Sequence, residues 1–256
     1  MLILLSPAKT MTGSSPVAAP DKTVPAFEKE AAELALYLSQ SSVEDLSRML
    51  KVNTTLAAGN YRRFKEFHSA DVPSLQAVLA YTGIVFKYLN PAGFTEADFR
   101  YAQSHLRFTS FLYGLLRPLD GIKCYRLEGD VRLPELNGLT MFEYWRSRLT
   151  DKLIEDCRSA GGILVNLASA EMKLLFDWKR LTASVQVVTP EFRIPKNGKL
   201  TTVVIYTKMA RGEMSRMILK ERLGRVEDLR KFCWEGFMFR PDLSDSNVMM
   251  FVQEGV

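Results

Sequence analysis

The chain has 256 residues, 47% of them hydrophobic and 25% charged, with a formal net charge of +5. That is ample apolar mass for a core and excludes a disordered or collagen-like chain, and no run approaches the ~20 apolar residues of a membrane-spanning helix. Three scattered cysteines (Cys124, Cys157, Cys233) and two histidines (His68, His105) exclude a disulfide framework and a Cys/His metal site, and suit a reducing, cytoplasmic compartment.

The opening "LILLS" reads as a short buried strand, because no basic leader precedes it as in a signal peptide. Pro7 ends it and is the first of four prolines in the irregular loop that follows. Residues 27–38 are predicted helical, with Phe27, Ala31, Leu34 and Leu38 on one face. Ser41 and Glu44 form a capping box for the next helix, whose apolar stripe is Val43, Leu46 and Leu50. Asn53 caps another helix, with Ala57, Tyr61, Phe64 and His68 at helical spacing. The spacing thus predicts packed helices at 43–51 and 54–67, turning at Val52 and Asn53.

"LQAVLAY" reads as a buried strand, and Thr95 with Asp98 opens a further helix. "FTSFLYGLL" reads as a strand broken by "RPLDG". "MFEYWRSRLTDKLIEDCRSA" is a long amphipathic helix stopped by Gly161 and Gly162. "ILVNLAS" is a third buried strand, with a helix starting near Ser169. "SVQVVTPEFRI" and "KLTTVVIYT" flank Asn197 and Gly198, a strong hairpin turn. "KMARGEMSRMILKERL" is helical, and "GFMFR" and "VMMFVQE" are closing strands. No internal repeat appears. Strands scattered from end to end predict one mixed α/β domain over 1–256, with a central mixed sheet wrapped by helices.

Residues 193–231 hold eleven Lys and Arg against four acids, while 235–256 hold one Arg against four acids. That asymmetry suits a polyanionic partner. "LKVNTTLA" has the apolar spacing of a helix–hairpin–helix that grips a phosphate backbone, with Lys51 and Asn53 where glycines usually stand. Its candidate donors are Lys51, Asn53, Thr54, Thr55, Arg62, Arg63 and Lys65. The alternative is an ordinary pair of surface helices.

Four polar stretches follow predicted strands or lie in irregular chain. "SPAKT" carries Ser6 and Lys9, and "RPLDGIKCYRLEG" carries Arg117, Asp120, Lys123, Arg126 and Glu128. "NLASAE" carries Asn166, Ser169 and Glu171, and "YTKMARGEMSR" carries Lys208, Arg211 and Arg216. Ligands gather outside the carboxyl ends of strands in α/β sheets. Lys9, Arg117, Arg126, Lys208 and Arg211 are therefore expected in one concavity. The competing reading is a set of ion pairs: Arg117 with Asp120, Arg126 with Glu128, Arg216 with Glu213. Lys9 or Glu171 as an acid or base remains open. Cys124 lies between Lys123 and Arg126, whose charges would lower its pKa, whereas burial would leave it inert.

"MLILLSPAKT", "FLYGLLRPLDGIKCYRLEG", "VNLASAE" and "YTKMARGEMSR", in this order, resemble the YaaA family of bacterial peroxide-stress proteins, over residues 1 to about 251. Met172 stands where an aromatic commonly follows the glutamate. The resemblance implies a role in the hydrogen peroxide response, in limiting iron-mediated DNA damage and in DNA repair. It also implies binding of double-stranded DNA without strong sequence preference, through a basic cleft and a helix–hairpin–helix at about 43–67. The cleft maps to Lys9, Arg117, Arg126, Lys208, Arg211 and Arg216, with Ser6, Asp120, Glu128, Asn166, Ser169 and Glu171 as polar candidates. No catalytic residue, cofactor or metal carries over, and whether a small-molecule ligand binds stays open. The alternative is an enzyme acting on a nucleic acid or a phosphorylated ligand in the cleft. An iron-sequestering protein is opposed by the scarcity of His and the lack of a Cys cluster.

Overall fold

Leu2–Leu5 is buried at every position, as an inner strand of a parallel sheet must be when both of its faces are covered. The computed structural model describes residues 1–253. In chain order the strands are β1 (Leu2–Leu5), β2 (Thr10–Met11), β3 (Leu75–Gln76), β4 (Tyr81–Thr82), β5 (Leu106–Ser110) and β6 (Gly114–Leu116). They continue with β7 (Gly121–Ile122), β8 (Ile163–Asn166), β9 (Gln186–Lys196), β10 (Lys199–Thr201), β11 (Phe237–Phe239) and β12 (Val248–Gln253). The helices are α1 (Glu28–Ser39), α2 (Val43–Leu50), α3 (Thr54–Lys65), α4 (Ala77–Ala80) and α5 (Ile84–Leu89). After them come α6 (Glu96–His105), α7 (Met141–Ser159), α8 (Trp178–Ser184) and α9 (Val204–Lys220).

The main sheet runs β11-β12-β9-β8-β1-β5-β6, with β10 paired to β9. Its inner strands, β12 to β5, are mutually parallel, and β6, β10 and β11 are antiparallel to their neighbours. This is the predicted mixed α/β architecture. β1 pairs with β5 on one side and β8 on the other. The chain builds outward from β1 in one direction and then, from β8, in the other. The junction of β1 and β8 is therefore a topological switch point.

Local chemistry sets the helix starts. Thr95 with Asp98, and Thr140 with Glu143, form reciprocal capping boxes for α6 and α7. Two internal ion-pair sites then fix helices to the body. Arg107 of β5 meets Asp156 of α7 at 2.7 Å, both buried. Asp98 of α6 accepts from Lys220 at the end of α9 and from Arg222 just beyond it, each at 2.7 Å. α9 also packs on α5 at Gly212, where a Cβ would run into the Val85 carbonyl and lie 2.7 Å from Tyr88 Cβ. Only glycine allows that approach.

Several predicted elements differ. "LQAVLAY" is not one strand but β3, α4 and β4, because a short run buried at every position has no periodicity to separate helix from strand. "FTSFLYGLL" is two strands, β5 and β6, that pair antiparallel. The β-branched run after β10 opens α9 instead of extending a strand, and Val204, Ile205 and Tyr206 stay exposed. After Ser169 comes a 3-10 turn, Ala170–Leu175, before α8. The box at α2 uses Ser42 and Asp45, one residue later than predicted. The predicted end of the last strand at Glu254 lies outside the described residues.

Candidate phosphate-binding site

Because β1 and β8 run side by side in one direction, the loops after them leave the same edge of the sheet. Ser6 Oγ accepts from the Ser169 N–H at 2.8 Å and donates to Ser169 Oγ at 3.1 Å, tying the loops together. Asn166 is buried beneath, bonded to Thr189 and to the Ala168 N–H, and shapes the exit of β8 without reaching the surface. A cavity of about 410 Å³ opens above them.

Its charged lining comes from four parts of the chain. Lys9 follows β1, Arg126 and Glu128 lie in irregular chain, Glu171 follows β8, and Lys208 and Arg211 project from successive turns of α9. Four cations face two carboxylates, a surplus of two positive charges. Glu128 lies 3.1 Å from both Lys9 Nζ and Arg126 Nη2. The contact with Arg126 is an ion pair without hydrogen-bond alignment: Glu128 Oε1 and Arg126 Nε are buried with no hydrogen-bond partner among the described residues. Arg211 Nε is equally unpartnered. Burial lowers the Arg211 pKa and Glu191 opposes the shift, yet a guanidinium stays charged. Phe86, Phe111, Tyr125 and Met172 form the apolar wall. The Tyr125 hydroxyl is engaged by Ser110 at 2.6 Å and Tyr81 at 2.8 Å, and burial pushes its phenol up to about 12.

Of the predicted residues, Ser6, Lys9, Arg126, Glu128, Ser169, Glu171, Lys208 and Arg211 line this cavity. Arg117 and Asp120 do not. Asp120 is fully buried and accepts from the Arg117 side chain, the Arg117 N–H and the Thr23 hydroxyl. Arg117 also holds the Val24 carbonyl at 2.8 Å, so the pair clamps the proline-rich loop. Arg216 does not line the cavity; it lies 3.7 Å from Glu213, and its Nε too is buried without a hydrogen-bond partner among the described residues. All three ion pairs of the competing reading are thus present, and one of them lies inside the cavity. Cys124 is half-buried, and burial raises its pKa, with Arg63 opposing. Lys123 is turned away to the Phe67 and Ser69 carbonyls, each at 2.7 Å. In the apolar wall the sequence had singled out only Met172, beside Glu171, and Tyr125, within a stretch already marked as polar; Phe86 carried no signal.

α2 and α3 pack as a helical pair joined by three residues. The left-handed residue is Lys51, at φ 52°, while Asn53 is the extended N-cap that accepts from the Leu56 N–H at 2.9 Å. Asn53 is thus the N-cap that the sequence predicts, and the left-handed position falls to Lys51 although asparagine adopts that conformation more readily. Thr54 and Thr55 are exposed in the first turn of α3. Arg62, Arg63 and Lys65 lie in its last turn, about 12 Å further along. There they complement the negative end of the helix, and Lys65 sits over the Tyr61 ring. Lys51 Nζ is ion-paired with Asp130, two residues from Glu128. The hairpin therefore adjoins the rim of the cavity. Among the described residues no three His, Cys, Asp or Glu side chains gather to hold a metal, and no helix is long and apolar enough to cross a membrane.

A family model described as peroxide stress protein YaaA matches residues 1–243. The chain belongs to the YaaA family. The matched span takes in every cavity-lining residue and both hairpin helices. Relatives under the name UPF0246 protein are similar along their whole length. That of Bacteroides thetaiotaomicron is 62% identical over 252 residues, 98% of each chain. That of Porphyromonas gingivalis is 49% identical over 258 residues, 99% of this chain and 100% of the relative. That of Clostridium botulinum is 38% identical over 256 residues, again 99% and 100%. The YaaA relationship thus extends across the sheet, the cavity and the hairpin together.

Proposed function

We propose that this YaaA-family protein serves the cytoplasmic response to hydrogen peroxide by binding the backbone of double-stranded DNA where the hairpin meets the cavity rim. The observation that carries the reading is the surplus of cations around the cavity, continued by Lys51. Phosphate contacts of this kind supply affinity without reading sequence. The exposed amino terminus of α3 adds backbone donors beside Lys51. DNA phosphates would have to draw Lys51 from Asp130 and Lys9 from Glu128. Both ammonium groups are largely exposed, so those pairs hold them weakly.

A gel-shift assay over a salt series tests this. The exposed Lys9, Lys51 and Lys208 provide up to three phosphate contacts, and a slope of about −3 in log affinity against log salt follows at ~0.9 per contact. Lys51→Ala should flatten the slope by about one contact. Asp130→Asn should tighten binding of all sequences, because it frees Lys51. Binding that ignores salt, or that is unmoved by both variants, refutes the hairpin as a grip.

One observation favours a second reading, an enzyme acting on a nucleic acid or phosphorylated ligand. A lysine and a glutamate are in contact inside a concave site that also holds two guanidinium Nε groups without a hydrogen-bond partner among the described residues.

A further inference from the structure

We infer that the cavity between the loops following β1 and β8 binds a single mononucleotide, whose phosphate takes the place of Glu128 against Lys9 and Arg126 and is met from α9 by Arg211. The inference rests on the second reading above, a phosphorylated ligand in this cavity, and names its class.

Size comes first. A volume of about 410 Å³ falls in the ~300–1,000 Å³ range of small-molecule sites. A duplex cannot enter it, whereas one nucleotide can. Charge comes next. Cations reach the cavity from the loop after β1, from residues 123–130 and from α9, so they converge on one volume from separate supports. Buried polar groups are nearly always hydrogen-bonded. Here Arg126 Nε and Arg211 Nε are buried and have no acceptor among the described residues. Glu128 meets this demand poorly, since one of its oxygens lies 3.1 Å from Arg126 without making a hydrogen bond. A phosphate monoester brings three acceptor oxygens and about −1.5 to −2 charge near pH 7. It can satisfy an ammonium and two guanidinium groups together, as one carboxylate cannot.

The remainder of the lining sets what the phosphate is attached to. Phe86, Phe111 and Tyr125 offer ring surface. The Tyr125 hydroxyl is already bonded on two sides, so this residue offers carbon and no free donor. Such a wall suits a flat base and leaves inorganic phosphate without contacts over most of the cavity. Glu171 has no partner among the described residues and supplies an acceptor for an amino group or sugar hydroxyl.

Isothermal titration calorimetry on the full chain tests the site. The probes are the nucleoside 5′-monophosphates of both sugars, the matching nucleosides and inorganic phosphate. At least one monophosphate should bind with a Kd below about 1 mM, at least ten times tighter than its nucleoside and than phosphate alone. Arg211→Gln should weaken it tenfold or more, and Arg211→Lys, which retains charge and bulk, should weaken it less. Glu128→Gln should tighten it several-fold, because the resident counter-charge is gone. That gain cannot come from a damaged fold. Circular dichroism confirms that each variant is folded. Phosphate binding with no gain from the nucleoside overturns the mononucleotide and leaves a phosphorylated-ligand site. Binding of neither overturns both. Monophosphate binding unaltered in Arg211→Gln and Glu128→Gln overturns this placement. Gel shifts on the same samples keep the DNA reading separate, since either result can fail while the other stands.

Discussion

Asp98 joins α6 to α9, and replacing it with alanine should destabilise the protein by about 3 kcal/mol. The carboxylate is 5% exposed. One oxygen accepts from the Thr95 N–H and hydroxyl, each at 2.9 Å, and from Lys220 at 2.7 Å; the other accepts from Arg222 at 2.7 Å. Truncation removes the reciprocal half of a capping box, worth about 1 kcal/mol. It also strands two cations, and breaking a buried pair costs about 3–5 kcal/mol. Lys220 and Arg222 are each about one-third exposed and regain water, which places the second term at its lower end. Neighbouring effects do not add fully, so about 3 kcal/mol is the net expectation. Urea unfolding should show a lower midpoint with an unchanged slope, and the melting temperature should fall by about 6–12 °C for a chain of this size. Burial alone would raise the Asp98 carboxyl, but the Lys220, Thr95 and Arg222 hydrogen bonds outweigh it and hold the group well below the usual range. Its stabilisation is therefore complete above the unfolded value of ~3.9 and is lost as pH falls toward the depressed folded value. Asp98→Asn should lack that acid-dependent loss. A cost below about 1 kcal/mol, the level of an exposed pair, would refute the reasoning.

His105 carries a second pH dependence. It stacks on Tyr101 at 3.8 Å, and burial pushes its pKa down. The unfolded chain thus takes up the proton first, and stability should decline as pH drops below ~6.5 toward the folded value. Urea midpoints at two pH values across that window should differ less in His105→Phe than in the natural chain. Gly212→Val should cost at least about 2 kcal/mol, an overpacking penalty, because the new side chain meets Val85 and Tyr88 of α5. A melting temperature unchanged by that substitution would show that α9 can shift freely.

What could be read beforehand was set by local chemistry or by composition. The capping box at Thr95, the turn at Asn197 and Gly198, and the apolar run of β1 each act within a few residues. Where burial is total, local signals fail, and residues 75–82 divide among three elements although they look like one strand. The cavity was half legible. Polar residues after apolar runs pointed to Lys9 and Ser169, which line it because a buried strand ends where polar groups can meet water, whereas Arg211 lines it from α9 and not from the strand end expected there. The same logic misplaced Arg117, because the irregular chain after β6 first turns back to fasten the loop at Thr23 and Val24. The aromatic wall depended on which strands adjoin, which only the sheet order supplies. Arg107 with Asp156 was missed for the same reason: each looked like an ordinary surface charge until β5 and α7 met.

The central place of β1 has a consequence for synthesis. It leaves the ribosome before either neighbour, since Ile3 pairs with Leu106 on one side and Val165 on the other. At roughly 5–20 residues per second, the first partner follows after about 5–20 s and the second after about 8–30 s. Throughout that interval an apolar strand with both edges open waits for its neighbours. Such a strand is a template for pairing with other chains. Yield from cells should therefore respond to translation speed and to chaperone supply more than the stability of the finished sheet would suggest.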